Sequence, residues 1–192
     1  LSEPVQVEEI YVYMQTNYGT SVTPFYTTLA LWVGGIVLVA LMKVKVDYED
    51  DEFKDATEHQ KYIGRALLFL AMGQLQALVV VLGDLYILKI DCTHPFMLWL
   101  AAAITSFVFT LFIYTLVLTF GDLGKAIAVV MIVLQIAGSG GTYPIELLPE
   151  FFQNVYLYFP FPYAINAIRE CVSGFYKYDY FILMGQLMLF VI

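Results

Sequence analysis

A polytopic, all-α integral membrane bundle is the fold class this sequence predicts, with about five transmembrane helices and two short amphipathic helices in the outer leaflet. The first observation is compositional: 60% of the 192 residues are hydrophobic and 14% charged, against about 45–50% and about 25% in soluble domains. The second is run length. Phe25 to Met42, Ala66 to Leu88 and Phe96 to Phe120 approach or exceed the roughly 18 apolar residues that mark a spanning helix. The third is the pattern after Gly141, where two successive pieces mix aromatic and polar residues and are each too short to cross a bilayer.

Taken in order, residues 1–24 read as the tail of an extracytoplasmic domain and residues 25–192 as the transmembrane domain. "PVQVEEIYVY" alternates in the manner of a strand over Val5 to Tyr13, and "NYGTSVTPF" supplies a turn that places Pro24 near the first turn of a helix. In the helix 25–42, Gly34 and Gly35 beside Trp32 suit close helix packing. The loop 43–62 is hydrophilic: the stretch from Lys43 to Arg65 holds seven acids and five bases. It reads either as a solvated loop or short amphipathic helix, or as a docking surface for a cytoplasmic partner.

The helix 63–90 carries Gln74 and Gln76 near its middle and Asp84 near its outer end. Polar groups at such depth are costly and face a bundle interior or a watery cavity. The glutamines therefore either bond between helices or line a transport path, and Asp84 falls near the interface. In the helix 96–120, Thr105, Ser106, Thr110 and Thr115 can bond backbone carbonyls or face a polar path. The tight turn "GDLGK" makes the next helix, 124–141 with Gln135, an antiparallel neighbour.

Gly140 and Gly141 then end that helix near the outer face, and Pro144 and Pro149 start and bend an amphipathic helix over 145–158. Pro160 and Pro162 hinge it to a second, 161–176, on which Arg169 and Glu170 pair at the outer leaflet or form an exposed ion pair. The final helix is 179–192. Tyr and Phe in these pieces sit at headgroup depth.

Sidedness follows from lysine and arginine. If the chain enters Phe25 from outside, six of these residues fall inside and three outside, so the positive-inside rule sets the N-terminal end of this chain on the extracytoplasmic side. A chain that begins at Leu1 and stops within "FILMGQLMLFVI" reads as an excerpt of a longer protein. Cys92 and Cys171 both fall outside in this topology, where a disulfide persists if geometry allows one. His59 and His94 lie alone in opposite loops, without a second ligand at metal spacing. A net charge of −8 argues against nucleic acid, and no cofactor motif is present.

A chain arriving from outside, then helices, then two short amphipathic helices before a last span resembles the ABC-2 type exporter permease fold. Three blocks resemble something narrower: "NYGTSVTPFYTTLALWVGG", "SFVFTLFIYTLVLTFGDLGKAIAVVMIVLQIAGSGGTYPIELLPEFFQ" and "PFPYAINAIRECVSGFY". They look like the C-terminal membrane region of the phage infection protein family, also called YhgE/Pip, and the resemblance covers nearly the whole chain. It implies a bacterial cell-membrane protein with an N-terminal helix, a long ectodomain and five C-terminal helices. The family name records a requirement in phage infection, and a type VII secretion accessory protein shares the architecture.

The sequence has no G-x-x-x-x-G-K-[ST] phosphate loop, so a transporter built on it would take its energy from a separate ATPase subunit. Neither a nucleophile–base pair nor paired carboxylates are present, which leaves enzyme activity the least favoured class. Three classes stay open: a permease-like domain in the lipid bilayer, working as a homodimer in the manner of exporters; an anchor for an ectodomain that phage engages; and a secretion-machine subunit.

Overall fold

The computed structural model describes residues 18–45, 57–141 and 144–191. The strand expected over Val5 to Tyr13 and most of the acidic loop, 46–56, lie outside the described residues. Among the described residues seven α-helices follow in order: α1 Tyr18–Leu41, α2 Glu58–Leu82, α3 Pro95–Phe120, α4 Asp122–Gly138, α5 Glu150–Val155, α6 Phe161–Ser173 and α7 Asp179–Met188. A π-helical turn, Gly83–Ile87, extends α2, and 3₁₀ turns flank α5 and end α7. Three of these are long and apolar enough to cross a membrane, Tyr18–Leu41, Glu58–Ile87 and Pro95–Phe120, which makes the chain a multi-pass membrane protein.

The central helix is α3, which packs against α1, α2, α4, α6 and α7. Its buried residues, from Leu98 and Ala101 through Ser106, Phe109 and Ile113 to Val117, follow no single stripe. A helix apolar all round is one enclosed by others. Small residues let the neighbours approach, as bilayer packing requires where lipid offers no hydrophobic driving force. Gly35 lies over Ile113, and Gly73 over Ser106 and Thr110. The outer faces of α2 and α4, with Leu67, Leu75, Val79, Val130 and Val133, remain exposed to the surroundings.

Several elements differ from their expected extents. α1 begins at Tyr18, so Pro24 is its seventh residue and sits inside it. Hydroxyls on either side of it bond back along the helix: Thr23 donates to the Gly19 carbonyl and Thr28 to that of Pro24, both at 2.8 Å. α2 begins within the expected loop, because Thr57 and Gln60 form a reciprocal capping box. The amphipathic helix expected over 145–158 is instead broken into the turn Ile145–Leu147, α5 and the turn Tyr156–Tyr158. Pro149 is responsible, since the residue before a proline avoids helical ψ, and Leu148 has ψ 157°.

The level at which the chain breaks positions everything that follows. α4, 17 residues long, rises about 26 Å from its turn, whereas α3, with 26 residues, spans about 39 Å. α4 therefore stops about 13 Å short of the end of the bundle that carries His94. Gly138 and Ser139 are buried, and a Cβ on Gly141 would press on Phe25 and Ile165. Gly141, just beyond α4, thus packs between α1 and α6. Gly140 adopts φ 66°, the left-handed conformation that glycine accepts without strain and that turns the chain here.

Candidate functional site

α6 is the element this break makes room for. Pro160 is its N-cap and Pro162 its second residue, so both prolines sit where a missing N–H costs nothing. Phe161 stacks on Phe109 at 5.5 Å between ring centroids and meets Trp32 edge-on at 5.6 Å. Phe109 lies 14 residues down α3, about 21 Å from its start. At its other end α6 reaches the beginning of α3, where His94 donates to the Cys171 carbonyl at 3.0 Å and Thr93 to that of Val172 at 3.2 Å. α6 is thus a half-length helix that starts at mid-bundle and climbs to the His94 end.

Nine of its 13 residues are buried, among them Ala164, Ile165, Ile168 and Cys171. The short helix expected over this stretch therefore turns its apolar face onto the bundle. α7 then returns beside it, with the Tyr180 hydroxyl on the Met97 carbonyl at 3.4 Å near one end and Phe190 against Tyr163 near the other. Gly174, at φ 110°, permits the reversal between them.

Gln135 holds the deep end of α6. Its side-chain oxygen accepts the Phe161 backbone N–H at 3.3 Å, satisfying a donor that the helix start leaves open. The residue is 1% exposed, and its amide nitrogen has no partner in the structure. Beside it, the Trp32 indole donates to the Ala128 carbonyl at 3.2 Å, tying α1 to α4.

The three glutamines named from the sequence are not brought together. Gln74 donates to the Ala103 carbonyl of α3 at 3.0 Å, and Gln76 to the Ala30 carbonyl of α1 at 3.4 Å. Each glutamine therefore joins a different pair of helices. Gly34 is what lets Gln76 cross α1, because a Cβ there would overlap its amide group. Sequence reasoning missed the pairing of Asp84: the carboxylate is buried in the π-helical turn and accepts the Thr27 hydroxyl at 2.6 Å. Its signal was the surplus of hydroxyls in "YTT" at a matching depth on the neighbouring helix.

At the His94 end, Arg169 donates to Asn166 at 2.7 Å, and the buried Glu170 carboxylate accepts the Tyr176 N–H that follows the helix. Both line a cavity of about 300 Å³ with Asp179 of α7. Cys92 and Cys171 are neighbours but free thiols. The Cys92 thiol points to the Cys171 carbonyl at 3.5 Å, and that of Cys171 to Ala167 at 3.3 Å. Burial pushes the Cys92 thiol above its ordinary range, with the neighbouring His94 N–H partly offsetting it. Among the described residues no group of three or more His, Cys, Asp or Glu could hold a metal ion.

This arrangement of a helix that stops early, a broken return and a half-length helix lies inside residues 59–172, which match the family model described as ABC-2 type transporter. The chain belongs to the ABC-2 type transporter family. It is also 30% identical over 173 residues to the uncharacterized protein YhgE of Bacillus subtilis (strain 168), a match covering 90% of this chain. The YhgE/Pip resemblance of the sequence blocks is thereby confirmed. The chain spans 22% of that relative's length. No solved structure matches. Within the ABC-2 family, the segment between α4 and α7 described above is the part of this chain in which the helical ladder is most interrupted.

Proposed function

We propose that this bundle is the membrane domain of a bacterial exporter for a hydrophobic or amphiphilic envelope substrate, driven by a separate ATPase subunit. The observation that carries the proposal is α6, whose first turn is seated at mid-bundle on Phe109, Trp32 and Gln135. Half-length helices with buried ends are the elements transporters use to change access, since non-helical backbone at depth survives only when enclosed by protein or water. The clustering of Lys43, Lys45, Lys61, Arg65 and Lys125 around one end of α1 to α4 supports an orientation with the N-terminal end of the chain outside. In this orientation α6 climbs to the outer surface and the α1–α2 connection faces the ATPase.

The test is co-purification of the whole protein from its native membrane. An ATPase retained by the intact protein and lost on replacing residues 43–62 supports the exporter. Absence of any nucleotide-hydrolysing partner, with phage sensitivity abolished by loss of the extracytoplasmic part, favours a second proposal: that the bundle anchors a receptor or a type VII secretion subunit.

A further inference from the structure

We infer that α6 is a lever, hinged at its His94 end, whose deep end unseats from α1, α3 and α4. The two ends are fastened unequally. At the His94 end the Cys171 carbonyl accepts the His94 N–H at 3.0 Å, and the Val172 carbonyl accepts both the N–H and the hydroxyl of Thr93, at 3.2 and 3.0 Å. α7 shares this hinge, since Tyr180 donates to the Met97 carbonyl there at 3.4 Å. At the deep end, among the described residues, one hydrogen bond joins the first turn of α6 to α1–α4: that from the Phe161 N–H to Gln135, at 3.3 Å.

The seat beneath that first turn also carries a penalty. Among the described residues two buried side-chain atoms have no hydrogen-bond partner, Gln135 Nε2 and Thr105 Oγ1. Both belong to the seat. Gln135 holds the Phe161 N–H, and Thr105, 0% exposed, lies one turn along α3 from Phe109, on the face that stacks on Phe161. A polar group that loses water without gaining a partner disfavours the state that buries it, by about ten-fold for each such group. Against this stand the contacts of Phe161 with Phe109 and Trp32, which keep the seated state the major one.

The rest of the bundle holds together without α6. Trp32 ties α1 to α4 through the Ala128 carbonyl at 3.2 Å, Ser106 ties α3 to α2 through that of Gly73 at 2.7 Å, and Gln76 ties α2 to α1. Glycines bracket the moving segment: Gly140, at φ 66°, precedes it and Gly174, at φ 110°, follows it, and both can absorb a change of direction. The lever rests on the reading of α6 as the element that changes access. Its test needs neither ATPase nor substrate, so a fixed α6 and an absent exporter are separate results.

Hydrogen exchange of the full-length protein in neutral detergent, read by mass spectrometry, is the test. The Phe161 and Ala164 amides are buried and hydrogen-bonded, so they exchange only when the deep end opens. A fragment holding them is expected to exchange about ten-fold or more faster than 107–113 of α3, at the same depth, while 169–172 stays as protected as α3. Thr105→Val removes one unpartnered atom at nearly constant volume; it should slow exchange at 161–164 about ten-fold and raise the melting temperature. That sign is the reverse of the one for a bonded hydroxyl, whose loss destabilises. Ser106→Ala, which removes a bonded hydroxyl one residue away, should not slow it. Equal protection of 161–164 and 107–113, or exchange at 161–164 that is unchanged or faster in Thr105→Val, overturns the lever. Equally fast exchange at 161–164 and 169–172 overturns the hinge. If Thr105→Val fails to fold, the comparison of fragments in the unaltered protein decides.

Discussion

Gln76 and Gly34 make one interaction between them, and neither can change alone. Gly34→Ala would push a methyl group into the Gln76 amide, an overpacking that costs about 1–3 kcal/mol. Removing the amide as well, with Gln76→Ala, should return much of that loss, a non-additivity that a double-mutant cycle on thermal unfolding measures directly. Asp84 offers a second test. Thr27→Val strands the buried carboxylate and should destabilise by about 1–3 kcal/mol, whereas Thr27→Ser keeps the 2.6 Å bond and should be nearly neutral. At Cys92 the upward shift lowers the thiolate fraction at neutral pH. Maleimide should therefore label the folded protein more slowly than it labels a free thiol, with a rate that climbs roughly tenfold per pH unit until the raised pKa is passed. Cys171, on the buried face of α6, should react only after unfolding. The glutamines themselves were legible in the sequence, and so was their separation. Two residues apart on a helix are about 200° apart around it, so Gln74 and Gln76 must serve different neighbours.

Helix boundaries were less legible than helix identities, for reasons that differ by element. At α2 the T-x-x-Q signature of Thr57 and Gln60 stands in plain view, but the surrounding charges draw attention to the stretch as a loop. Thr57→Ala should cost about 1 kcal/mol and fray the first turn, visible as faster amide exchange from Glu58 to Lys61. At α1 the opposite occurred. Pro24 reads as a start because proline is a breaker in water, yet inside a bundle neighbouring helices tolerate it. The break at Pro149 followed directly from local rules, whereas the burial of α6 did not. Its pattern of "PFPYAINAIRE" alternates apolar and polar residues as an interfacial helix would. What buries it is tertiary: the shortness of α4 opens a space beside α3 that no inspection of α6 alone reveals.

For the molecule as a whole, the proposed orientation is testable without knowing any substrate. In a cysteine-free background, His59→Cys and Tyr178→Cys should be labelled by an impermeant reagent from opposite faces of sealed vesicles, the first from the cytoplasmic side. Labelling of both from one side would undo the topology and, with it, the assignment of the α1–α2 connection to an ATPase. Family and class were readable from composition and from blocks such as "GTYPIELLPEFF", but the depth at which that block sits was not, because depth depends on how far α4 climbs relative to α3. Glu146, Glu150 and Asn154 are exposed at roughly the height where α4 ends, and charged groups there require headgroups or water. In the proposed orientation the polar boundary would dip on the α4 flank and rise again beside α3, giving the protein an annulus of uneven thickness. Lipids packed along the low side would then be compressed, and a molecule leaving the membrane would meet its thinnest hydrocarbon there.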